Sequence, residues 1–91
     1  MLEPFTAEQS ARMLIEEMAY DNGGGFGYSP ETFQKLVDAC QKFTNNGERL
    51  DELTCYEIAT GEVTELEETF GHIEGYEELN NCLNKIFNGD G

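Results

Sequence analysis

LTCYEIATGEVTEL, residues 53 to 66, decides the fold, because two structures compete for it. Tyr56, Ile58 and Val63 are residue types that favour strand, and a glycine at Thr60-Gly61 between two such runs is a hairpin signal. A helix through Leu50, Leu53 and Glu57 that stops at Gly61 is the competitor. The strand-forming residues favour the hairpin, so two short strands are expected near 54–65. Thr64 with Glu67 would then cap a short helix carrying Leu66 and Phe70.

The flanks read as helices. Thr6 followed by Gln9 has the spacing of a capping box, and Ala7, Ala11, Leu14, Ile15 and Met18 recur at helical spacing, which places a helix near 7–20. Ser29 as N-cap, Pro30 in the first helical position and Glu31 behind it open a second helix near 30–44. Its apolar stripe is Phe33, Leu36, Val37, Cys40 and Phe43, and Asn45-Asn46-Gly47 stops it. Tyr76, Leu79, Cys82, Leu83, Ile86 and Phe87 mark a third near 76–87, with Lys85 at its negative pole. The expected class is therefore α+β, mostly helical, in a single domain over 1–91.

Ninety-one residues allow one modest core. No apolar run reaches the roughly 18 residues that span a bilayer, and MLEPFTAEQS lacks the basic flank and apolar centre of a signal peptide. A cytoplasmic address is the simplest expectation. Cys40, Cys55 and Cys82 are widely spaced, with His72 the lone histidine. They read as reduced, buried thiols rather than a zinc site, which needs about four ligands, usually in close pairs. No metal or other cofactor is expected.

Charge carries the functional signal. Nineteen acidic residues stand against five basic ones, for a net −14. Residues 1–47 hold seven acidic and three basic side chains, whereas residues 48–91 hold twelve and two. In the first half Glu8, Arg12 and Glu16 form an i,i+4 ladder, and Glu31 with Lys35 and Asp38 with Lys42 do the same. Between Arg49 and Lys85 there are ten carboxylates and no cation: Asp51, Glu52, Glu57, Glu62, Glu65, Glu67, Glu68, Glu74, Glu77 and Glu78. Such a balance argues against direct binding of nucleic acid and against an anionic membrane, and for a basic protein surface as partner.

Helical carboxylates three and four residues apart have Cβ atoms roughly 5–6 Å apart, while each DNA strand carries one phosphate per about 3.4 Å of helix axis. Two or three acidic elements could thus imitate a short run of phosphates. In size, single-domain build and acidity the chain resembles phage-encoded inhibitors of restriction and CRISPR systems, a resemblance of composition carried by no motif. It implies a stoichiometric inhibitor or regulator of a nucleic-acid-binding protein, with the ten carboxylates as its contact residues. The competing expectation is an immunity-like or adaptor protein that recognises one basic partner by shape, anchored by Phe26, Tyr28 or Tyr76.

Other motifs fall away. Counted from Asp21, a calcium loop would need oxygen ligands where Gly23 and Gly25 stand and a glutamate where Thr32 stands. DNGGGFGY precedes a helix but lacks the lysine of a phosphate-binding loop. His72 has no nucleophile beside it in sequence, and so many equivalent glutamates single out no acid–base pair. No catalytic residue is assigned, and an enzyme is not expected.

Overall fold

A computed structural model describes residues 6–23, 27–47 and 49–89. It contains five helices in chain order: α1 (Ala7–Asn22), α2 (Pro30–Asn45), α3 (Glu52–Thr60), α4 (Val63–Phe70) and α5 (Tyr76–Phe87). Among the described residues there is no strand. The expected α+β class and its hairpin near 54–65 are thus incorrect; the fold is all helical.

The physical reason lies in the ends and the inner face of α3. The Asp51 side chain accepts the Thr54 N–H at 2.9 Å, and the Asp51 carbonyl accepts the Cys55 N–H at 3.0 Å, so a capped first turn is in place. Cys55 and Ile58, three residues apart, are buried, while Leu53 and Tyr56 face solvent. A strand would have put Tyr56 and Ile58 on one side; the period that buries side chains here is helical. Gly61 ends α3, its N–H donating to the Glu57 carbonyl at 2.8 Å. The expected cap at Thr64 also fails, because α4 begins at Val63 behind Glu62, two residues earlier, with no side-chain cap.

The other helices start where their caps direct. Thr6 and Gln9 form the reciprocal capping box, and Ser29 accepts the Thr32 N–H at the head of α2. Helix α1 packs against α2 and α3, and α2 packs in turn against α5. Ala11, Leu14, Ile15 and Met18 of α1 meet Leu36, Ala39, Cys40 and Phe43 of α2 and Leu79, Leu83 and Ile86 of α5 in one apolar core. Short α4 joins this core through Leu66 and Phe70. The Phe70 ring lies 5.9 Å from Phe43 and 6.0 Å from Tyr76, so one aromatic column ties α4 to α2 and α5.

Gly75 determines how closely α5 approaches α2. Its φ of +96° is in the left-handed region, and a Cβ there would meet the Ala39 carbonyl, the Lys42 Cβ and the Phe43 nitrogen, each at 2.8 Å. Helix α5 therefore starts without a side-chain cap, seated directly on α2. Among the described residues no helix is long and apolar enough to cross a membrane.

Candidate functional site

The ten carboxylates singled out from the sequence lie on α3, α4, α5 and the turns between them. Asp51 is half-buried and the other nine are exposed. Two already have structural work. Asp51 caps α3, and the Thr54 N–H holds its carboxyl below the usual range. Glu78 receives the Lys42 ammonium of α2 at 2.8 and 3.1 Å, an exchange of partners relative to the Asp38–Lys42 pair expected within α2. Asp38 instead accepts from Gln34 at 3.0 Å. The remaining eight have no ion-pair partner among the described residues.

These carboxylates do not form one row. At about 100° per residue, with Leu66 and Phe70 inward, Glu68 points away from the core while Glu65 and Glu67 flank α4 on opposite sides. On α5, Glu78 faces α2, whereas Glu77 shares the opposite flank with Asn80 and Asn81, three and four residues on. Two separate acidic sites result.

The first is a cleft of about 420 Å³ where α4 meets α5, lined by Glu67, Gly71, Tyr76, Glu77, Asn80 and Asn81. Tyr76 is 2% exposed, and its hydroxyl is buried without a hydrogen-bond partner. Burial pushes its phenol up, and the Glu67 carboxylate adds to the effect. Tyr76 therefore forms a wall of the cleft rather than a side chain standing out from the surface.

The second is a groove of about 480 Å³ between α1 and α3, lined by Glu17, Asp51, Glu52, Leu53 and Tyr56. Leu53 is 66% and Tyr56 51% exposed, an apolar floor with carboxylates around it. Sequence reasoning missed Glu17, Leu53 and Tyr56 as a unit because the hairpin assignment scattered them. The helical alternative would have placed Leu53 and Tyr56, three apart, side by side.

Of the remaining aromatic candidates, Tyr28 stacks on Phe33 at 5.8 Å, and the Arg12 guanidinium sits 5.6 Å from the Phe33 ring centre. Phe26 lies outside the described residues. Arg12 also pairs with Glu8 at 3.0 Å. Cys40 and Cys55 are buried, and burial pushes both thiols up to about 12, so neither carries a thiolate at neutral pH. His72 is exposed in the turn after α4. Among the described residues no three His, Cys, Asp or Glu side chains are grouped to hold a metal ion. Comparison of the chain with protein-family models, curated proteins and solved structures found no match.

Proposed function

We propose that this protein is a stoichiometric inhibitor or regulator that occupies the phosphate-binding surface of a nucleic-acid-binding protein, in the manner of phage anti-restriction and anti-CRISPR proteins. The observation that carries the reading is the set of eight exposed carboxylates on α3, α4 and α5 and the adjoining turns with no ion-pair partner among the described residues. Arginines and lysines that normally hold phosphates would meet Glu52, Glu57, Glu62, Glu65, Glu67, Glu68, Glu74 and Glu77 instead. Long-range attraction would speed encounter, and binding would weaken steeply as salt rises. The bound inhibitor excludes nucleic acid because both need the same cations.

The test is capture from a lysate with the intact chain as bait, repeated between roughly 50 mM and 200 mM salt. A retained nucleic-acid-binding protein, released by salt and by competing DNA, is the expected result. Reversing Glu65, Glu67, Glu68, Glu74 and Glu77 to lysine should abolish its capture. Capture that ignores both salt and DNA would sink the proposal.

The α1–α3 groove favours a second reading, an adaptor or immunity-like protein that recognises one basic partner by shape. Leu53 and Tyr56 would then be the anchors, and charge would serve only association. Under this reading Tyr56→Ala costs more affinity than any single glutamate substitution.

A further inference from the structure

The cleft between α4 and α5 is more specific than an acidic patch. Glu67 and Glu77 come from different helices, so their place on one cleft is tertiary rather than a by-product of helical repeat. Glu77, Asn80 and Asn81 stand at i, i+3 and i+4, which gathers one carboxylate and two carboxamides on a single flank. Neither glutamate has an ion-pair partner among the described residues. Tyr76 lines the same cleft; the residue is 2% exposed, and its buried hydroxyl has no hydrogen-bond partner among the described residues. A buried hydroxyl left unmatched costs about 1–3 kcal/mol, so the free protein carries an unmet demand at this point.

We propose that this cleft seats one arginine side chain of the basic partner, held by Glu67 and Glu77, with the Tyr76 hydroxyl and the Asn80 and Asn81 carboxamides completing its hydrogen bonds. The assignment deepens the function proposed above and rests on it. Guanidinium fits the donor and acceptor inventory better than ammonium. It offers five N–H donors in a flat fork, enough for two carboxylates and neutral oxygens at once, and it sheds water more readily than the compact lysine head. An apolar ligand would leave both carboxylates unmatched. A bare metal ion would find only two charged oxygen donors here, Glu67 and Glu77.

The experiment is an NMR titration of the intact, nitrogen-labelled chain with the blocked peptide acetyl-Gly-Arg-Gly-amide. Its lysine counterpart and its uncharged citrulline counterpart are run beside it. Saturable shifts are expected at Gly71, Tyr76, Glu77, Asn80 and Asn81, weaker with lysine and absent with citrulline. Glu67→Gln with Glu77→Gln should lower affinity by about tenfold or more, while Glu16→Gln with Glu31→Gln, exposed on α1 and α2, should leave it unchanged. Tyr76→Phe should lower it about threefold without lowering stability, because the hydroxyl it removes has no partner to lose. Shifts spread over all exposed glutamates, or indifferent to the Glu67 and Glu77 substitutions, would overturn the assignment. So would equal binding of the arginine and lysine peptides. Partner capture is scored separately. If it survives Glu67→Gln with Glu77→Gln, the cleft assignment falls and the function stands. If the chain seats the peptide but captures no basic partner, the function falls and the arginine seat stands.

Discussion

Lys42 of α2 and Glu78 of α5 hold each other at 2.8 Å across 36 positions of sequence. The pair is the point at which the acidic second half of the chain borrows a cation from the first. Both side chains are about half exposed, so the bond adds little to stability. Lys42→Met should therefore leave the urea midpoint nearly unchanged, with any difference shrinking further in about 1 M salt. Urea titrations at two salt concentrations check this.

Ser10 offers the opposite case. It is fully buried in α1, and its hydroxyl has no oxygen or nitrogen partner among the described residues, with the weakly bonding Cys55 thiol beside it. Ser10→Ala removes that unmatched group and adds helix propensity, so it should stabilise the protein by about 1 kcal/mol. A loss of stability in thermal unfolding would show that the hydroxyl contributes a contact after all.

Gly75 and Gly23 separate crowding from backbone strain. Both have positive φ, but a Cβ at Gly23 meets nothing within 4 Å, whereas one at Gly75 strikes α2 at 2.8 Å. Gly23→Ala should cost about 1 kcal/mol. Gly75→Ala should cost about 2–5 kcal/mol, since overpacking adds to strain. Equal costs in chemical denaturation would refute the close seating of α5 on α2.

The response to pH follows from groups whose folded values are displaced. Cys40 and Cys55 are pushed up to about 12 by burial, from an ordinary value of about 8.5. Between those values the unfolded chain gives up protons that the folded chain keeps, so stability should be intact below about pH 8.5 and fall as pH rises toward 12. Cys55→Ala should flatten that slope, measured as urea midpoints against pH. Asp51 has the reverse sign: its lowered value supports α3 above the ordinary carboxylate range and stops doing so as pH falls through it.

Helices α1, α2 and α5 were legible because Thr6–Gln9, Ser29-Pro30 and the Tyr76-to-Ile86 stripe are local signals, written within a few residues of the structure they specify. Helix α3 was not, since Tyr56 and Ile58 suit a strand by type, and only packing of Cys55 and Ile58 against the core decides their period. The acidic stretch was legible as a quantity but not as a layout. Glu78 and Lys42 are too distant in sequence to be matched, and Glu67 lines one cleft with Glu77 only once α4 has turned onto α5. The burial of Tyr76 was visible in its own stripe, which already placed it inward with Leu79 and Leu83.

The aromatic column has a spectroscopic consequence. The chain has four tyrosines and no tryptophan. Three of the four, Tyr20, Tyr28 and Tyr56, are 42–88% exposed, which leaves Tyr76 against Phe70 as the one tyrosine ring fixed in a chiral, dry setting. Near-ultraviolet circular dichroism should therefore report on the α4–α5 junction almost alone. Tryptophan emission in any mixture would come wholly from the partner, so an association can be followed with neither molecule labelled.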